Sequence, residues 1–183
     1  MFKPFVLAEL ARAAEVKEHR WTDVVPLGSP SLPCGVTKDW PRGLPVTLAT
    51  LATEMISISD NTATDRPIET LGRSKVDAMR AGVGHTNGSL PMLSTLEAFS
   101  LKMPGNLALR QRWIAGGLAE RRQVLIELEP TLTTIDASAL VGPPLHIDTI
   151  EWPATMTEIV GELEALRHET MWLERSILCG SLR

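Results

Sequence analysis

Apolar residues recur at helical spacing along most of this chain, and this periodicity constrains its fold more than any other feature. In Phe2–Lys17, for example, Val6, Leu7, Leu10 and Ala14 fall on one face of a helix. Helices are predicted over Phe2–Lys17, Leu48–Ile58, Asn61–Leu71, Ser74–Met79, Ala98–Met103, Asn106–Ala115, Leu118–Leu128, Ala154–His168 and Thr170–Leu178. The best strand candidate is the short segment Ile147–Trp152. The pattern therefore predicts a mainly α fold.

Turn and capping residues separate these helices. The stretch Trp21–Pro45 is rich in proline and glycine and predicts an extended connector, and Pro130–Pro144 predicts a loop. Thr47 is a candidate N-cap for the helix that follows it. Ser94-Thr95-Leu96-Glu97 matches a capping box, in which the serine and the glutamate satisfy each other's backbone N–H groups.

Composition limits the class of protein. A chain of 183 residues with 44% apolar residues is long enough for a single globular domain over residues 1–183. The formal net charge of −4 argues against a nucleic-acid partner, because no basic stripe is available to neutralise phosphates. No apolar run is long enough for a membrane span. These features predict a soluble protein.

Other features carry little information. No signal peptide is recognised at Met1-Phe2-Lys3-Pro4, so the compartment stays open. Free thiols are the favoured interpretation of the two cysteines, although they could pair, and neither cysteine has metal-site spacing. The histidines show no spacing for a metal or a triad, and three tryptophans are expected in or at the edge of the core. These residues are Cys34, Cys179, His85, His146, His168, Trp113, Trp152 and Trp172.

The turn Ser59-Asp60-Asn61 carries the clearest chemical signal. It follows one apolar helix and opens another, so its side chains stand between two helix ends. Lys3 lies 56 residues before Ser59, at the start of its own helix. Serine and aspartate are also good N-caps, so a purely structural role for the turn is the competing interpretation.

The Ser-Asp-Asn turn and the lysine-led helix resemble the serine β-lactamase and penicillin-binding-protein-like hydrolases, whose motif set includes S-x-x-K, S-D-N and K-T-G. Residues 2–10 are similar to the nucleophile helix of the class A, actinobacterial serine-hydrolase type, and residues 44–71 are similar to the helices around S-D-N. Residues 145–168 resemble the family more loosely. The resemblance implies the helical domain of the β-lactamase/transpeptidase-like fold, largely without its α/β sheet domain.

The resemblance also implies roles. Lys3 and Ser59 would be catalytic: Lys3 as the base that activates a serine nucleophile, and Ser59 as a relay of the proton to the leaving nitrogen. Asn61 would bind the substrate through its side-chain amide, and Asp60 would hold the turn through backbone hydrogen bonds. The implied substrate is a small molecule, namely a β-lactam, a peptide or an ester. No cofactor and no metal are implied.

Three departures from the family pattern limit this expectation. The residue three positions before Lys3 would be the nucleophilic serine, and it is expected immediately before Met1. Neither Lys-Thr-Gly nor Lys-Gly-Gly occurs in the sequence. The Glu-x-x-Leu-Asn motif of the deacylating glutamate is also missing, and the context of Glu97 indicates the start of a helix rather than the deacylating base. We therefore expect little or no acyl-transfer activity from this chain by itself.

Loss of the sheet domain would also uncover the helix at Phe2–Lys17, and this apolar surface could support a homo-oligomer. Two other hypotheses stay open at this stage. The chain could be a non-catalytic helical binding protein derived from the family, or a helical module unrelated to it.

Overall fold

The computed structural model describes residues 2–31, 35–82, 90–132, 135, 145–161 and 163–167. The predicted mainly α class is confirmed. The helices are α1 (Lys3–Glu15), α2 (Leu48–Ser57), α3 (Thr62–Leu71), α4 (Arg73–Gly82), α5 (Thr95–Lys102), α6 (Leu107–Ala115) and α7 (Leu118–Leu128). Residues 156–161 and 163–167 are also helical. Short 3₁₀ turns occupy Thr37–Asp39, Pro104–Asn106 and Glu129–Thr131. Most predicted helix ends lie within three residues of those observed.

Helix α1 is covered, which corrects the expectation of an exposed apolar face. Pro4 lies in its first turn, where a missing N–H costs no helical hydrogen bond. Phe5, Val6 and Leu10 are buried and pack in a first core with side chains from α2, α3 and α4. Apolar side chains are instead exposed at Ile56, Ile58, Met156, Val160 and Leu163.

The predicted connector folds back on itself. Its two ends form strands β1 (Val24–Pro26) and β2 (Pro45–Thr47), which pair antiparallel with Val24 opposite Thr47. Thr47 then caps α2, as predicted, because its side chain accepts a hydrogen bond from the N–H of Thr50 at 3.1 Å. This pairing places the middle of the connector beside the start of α3.

A second core joins α5, α6 and α7. Leu101, Trp113, Val124 and Leu128 are buried there, so the prediction for Trp113 is confirmed. The predicted capping box is also confirmed at the start of α5, where Ser94 and Glu97 exchange hydrogen bonds. Side chains from residues 145–153 add to this core and also touch the first.

The strand predicted over Ile147–Trp152 is wrong. The N–H groups of Thr149 and Ile150 both bond to the carbonyl of His146, at 3.2 and 2.9 Å, which makes a turn. A strand needs a neighbouring strand for its backbone groups, whereas this segment satisfies its own and buries Ile150 and part of Trp152 in the cores. The helix Thr170–Leu178, most of the loop Pro130–Pro144, both cysteines, His85, His168 and Trp172 lie outside the described residues.

Candidate active site

The Ser59-Asp60-Asn61 turn links the end of α2 to the start of α3. Ser59 is exposed and has a φ of 57°, in the left-handed region that a non-glycine residue seldom adopts. The N–H of Asp60 bonds to the carbonyl of Glu54 at 3.2 Å, which closes the last turn of α2. The reversal brings Ser59 to the surface while Asp60 and Asn61 become buried.

Asp60 ties the turn to the connector. Its Oδ1 atom accepts hydrogen bonds from the Thr37 hydroxyl at 2.6 Å and the Ala63 N–H at 2.9 Å, and its Oδ2 atom accepts from the Thr37 N–H at 2.8 Å. Gly35 passes so close that an added Cβ would lie 2.2 Å from the Asp60 Cγ atom. The Asp60 carboxylate is therefore occupied by the connector and by the first turn of α3.

Lys3 reaches the same turn from the first residue of α1. Its Nζ atom donates to Asn61 Oδ1 at 3.1 Å and to the backbone carbonyl of Ser59. The side-chain amide of Asn61 is mostly buried, and its Nδ2 atom has no protein acceptor among the described residues. The fold thus brings Lys3, Ser59 and Asn61 together although more than fifty residues separate Lys3 from the other two.

These three residues line an open groove. The cavity has a volume of about 420 Å³, which is within the usual range of small-molecule sites. Its other walls are apolar and come from α1, α2, α5 and the 145–153 segment: Phe2, Pro4, Met55, Ile56, Phe99 and Trp152. The groove therefore combines a small polar cluster with an apolar surface.

A buried acid supports the site from behind. The Asp65 carboxylate, in the first turn of α3, accepts four hydrogen bonds at 2.7–2.8 Å, from the Ser31 hydroxyl, the Thr95 hydroxyl and the N–H groups of Thr95 and Leu96. Burial raises the pKa of Asp65 to about 6, although these donors act in the opposite direction. The network fixes α3 against α5 and the connector.

Several contributing residues carried little or no sequence signal. Gly35 and Thr37 lie in a connector whose composition indicates only turns. Asp65 is the last residue of the Thr-Ala-Thr-Asp sequence that follows S-D-N. An acidic residue in the first turn of a helix is favoured by the helix dipole, and this position is the signal that could have identified it. The sequence predicts Trp152 in or at the edge of the core, and no motif or spacing in it links Trp152 to Lys3.

The comparison with protein families identifies the chain. The model of the "Beta-lactamase enzyme family" matches residues 1–111, which is more than half of the 183 residues. The chain belongs to this family. The matched part contains α1 to α5, the connector and the Ser59-Asp60-Asn61 turn. The family is one of β-lactamase-like hydrolases.

Among solved structures, the chain is similar to the β-lactamase from Sphaerobacter thermophilus DSM 20745. The two are 24% identical, the alignment covers 61% of this chain and 52% of that one, and the TM-score is 0.45. The chain thus spans about half the length of that β-lactamase-like relative. No curated protein matches the chain.

Two further observations concern the part of the β-lactamase-like chain that the structure describes. None of its helices is long and apolar enough to cross a membrane. Its His, Cys, Asp and Glu side chains form no group of three or more that could hold a metal ion.

Proposed function

We propose that Lys3, Ser59 and Asn61 form one wall of a serine acyl-hydrolase site that acts on a β-lactam, amide or ester. The observation that carries this proposal is the contact between Lys3 Nζ and Asn61 Oδ1 at 3.1 Å, made inside a groove that Ser59 also lines. Membership of the β-lactamase family supports the same reaction class.

Each residue has a defined part in acyl transfer. A serine hydroxyl is a weak nucleophile at neutral pH, so a base within hydrogen-bond reach must take its proton as the hydroxyl attacks the carbonyl carbon. Lys3 Nζ is this base, and Asn61 Oδ1 and the Ser59 carbonyl hold it in position. The exposed Ser59 hydroxyl returns a proton to the leaving nitrogen or oxygen as its bond to the carbonyl carbon breaks.

Asn61 also recognises the substrate. Its Oδ1 atom accepts from Lys3, which orients the amide so that Nδ2 is a donor for a carbonyl oxygen of the bound compound. One amide thus fixes both the base and the substrate. Asp60 takes no part in the chemistry and holds the turn through Thr37 and Ala63.

The nucleophile is the element to test. In the 183-residue chain, no lysine has a serine three positions before it. We therefore expect no nitrocefin turnover and no adduct with a fluorescent penicillin. Adding one serine directly before Met1, after an initiator methionine, creates Ser-Met-Phe-Lys with Lys3 as its lysine. We expect this extended chain to form a stoichiometric adduct at the added serine.

Matched controls separate catalysis from folding. An added alanine in place of the serine should give no adduct, and Lys3→Ala or Ser59→Ala in the serine-extended chain should slow adduct formation about 100-fold. Ser57→Ala, at the exposed end of α2, should leave the rate unchanged. Absence of an adduct in the serine-extended chain, or an equal rate after Lys3→Ala, would contradict the proposal.

Ser59→Ala also tests the competing structural role of the turn. If Ser59 served only as a helix cap, its replacement would lower the free energy of unfolding and leave the adduct rate of the folded protein unchanged. We expect the reverse, since the α3 N–H group of Ala63 is satisfied by Asp60. Urea unfolding and adduct kinetics on the same variant distinguish these outcomes.

A further inference from the structure

Trp152 forms an aromatic wall of the groove that contains Lys3 and Asn61. It comes from the 145–153 segment, which lies outside the residues that match the β-lactamase family. Its side chain is partly exposed, as is that of Phe99, which lines the same groove from α5. The family match therefore includes Phe99 but not Trp152.

Two contacts hold the Trp152 ring in place. Its ring stacks on the Phe2 ring, with 3.9 Å between centroids and 17° between planes. Its Nε1 atom donates to the Leu93 carbonyl at 2.8 Å. The indole is therefore fixed between Phe2, at the start of α1, and the segment before α5. Phe2 is the residue directly before Lys3 in the sequence. A side chain held in this way loses little conformational entropy when a ligand binds.

The backbone around Trp152 is anchored as well. Lys102 of α5 is buried and forms an ion pair with Glu151. Trp113 Nε1 donates to the Thr149 carbonyl at 3.1 Å, and Ile150 is buried in the second core. Each of the three residues before Trp152 thus has its own contact with the second core or its helices. This anchoring gives the groove a rigid wall.

We propose that Trp152 is a subsite for the planar aromatic group of an acyl compound whose amide binds at Lys3 and Asn61. This inference rests on the proposed function, since it places the acyl group of that substrate. Aromatic rings are favoured over aliphatic groups at such a wall because offset stacking adds to the burial of apolar area. Asn61 lines the same groove and its Nδ2 atom is a donor, so the compound carries a carbonyl acceptor beside its ring.

The test compares three small probes on the folded 183-residue chain. N-phenylacetylglycine, N-cyclohexylacetylglycine and N-acetylglycine share an amide and a carboxylate and differ in the group that would meet Trp152. Ligand-observed NMR titration gives their dissociation constants. We expect the phenyl compound to bind at least tenfold more tightly than the acetyl compound, and more tightly than the cyclohexyl compound.

Variants assign the preference to Trp152. We expect Trp152→Leu to reduce the phenyl-to-acetyl ratio to less than threefold, and Trp152→Phe to retain most of it. Trp40→Leu, which removes a tryptophan of the first core that does not line the groove, should keep the ratio. Asn61→Ala should weaken all three probes by a similar factor. Circular dichroism checks that each variant is folded, and the comparison on the unchanged chain does not depend on any variant.

The outcomes separate the two proposals. Equal binding of the phenyl and acetyl probes, an equally tight cyclohexyl probe, or an unchanged ratio in Trp152→Leu would overturn the aromatic subsite and leave amide recognition at Asn61 intact. Failure of all three probes to bind would overturn both the subsite and that amide recognition, whereas the assignment of Lys3 as base has its own test in adduct formation.

Discussion

The Nζ atom of Lys3 lies 3.1 Å from the Oδ1 atom of Asn61, although 58 positions separate the two residues in the chain. This contact joins the first residue of α1 to the residue before α3. It brings a short motif and a distant lysine together in the candidate site.

A double-mutant cycle on this pair should show coupling. A hydrogen bond that involves a charged group contributes about 1.5–3 kcal/mol when its partner is removed. We expect Lys3→Met and Asn61→Ala to be coupled by about 1–2 kcal/mol in the free energy of unfolding, measured with urea. A cycle between Lys3 and Asn106, which bonds to the Ser100 carbonyl in the second core, should give a coupling near zero. Equal coupling in the two cycles would contradict a specific contact.

Gly35 should tolerate a methyl group far less well than Gly43. Both have a positive φ, of 110° and 78°, so alanine is strained at either position by about 1 kcal/mol. At Gly43 an added Cβ meets nothing within 4 Å, whereas at Gly35 it would lie 2.2 Å from the Asp60 carboxylate. We expect Gly35→Ala to lower the free energy of unfolding by at least about 2 kcal/mol more than Gly43→Ala. Similar losses would show that the connector can move away from Asp60 at little cost.

Asp65 should make stability depend on pH between about 4 and 6. Its pKa in the folded chain is about 6, above its ordinary value, so the folded state binds the proton more tightly. The stabilisation from this proton is complete below pH 4 and is lost as the pH rises through 6. Relative to Asp65→Asn, which does not titrate, the unfolding free energy of the unchanged chain should fall by about 2 kcal/mol from pH 4 to pH 7.

The control for this pH effect is Asp23. Hydrogen bonds from the Arg20 backbone N–H and guanidinium lower the pKa of Asp23, so its contribution has the opposite sign. That contribution is present above the ordinary pKa and is lost as the pH falls through the lowered value.

One outcome would contradict the prediction for Asp65. A difference in unfolding free energy between the unchanged chain and Asp65→Asn that stays constant from pH 4 to pH 7 would show that Asp65 is ionised throughout.

Two serines at the ends of α5 should respond oppositely to alanine. Ser94 caps the helix by accepting from the Glu97 N–H, so Ser94→Ala should cost about 1 kcal/mol. The Ser100 hydroxyl is buried and has no hydrogen-bond partner in the described structure. Ser100→Ala removes an unsatisfied group and should leave the free energy of unfolding unchanged or raise it. Chemical denaturation measures both, and a loss at Ser100 equal to that at Ser94 would contradict this account.

Local patterns were sufficient for the helices and their caps. Apolar spacing placed α2 and α7, and the Ser94–Glu97 pair was visible because a capping box joins residues only three positions apart. The same reasoning failed at Ile147–Trp152. This short segment was the best strand candidate, but no strand in the described structure lies beside it, and a turn at His146 satisfies its backbone instead.

The sequence by itself thus determined the helical class, the family likeness and the three polar residues of the candidate site, because each depends on short segments with their own signal. Only the tertiary structure decided how that site is enclosed. The approach of Gly35 to Asp60 and the stacking of Trp152 on Phe2 join segments far apart in the chain. Such contacts follow from how the helices pack around two cores, and packing geometry leaves no periodic pattern in the residues that make it.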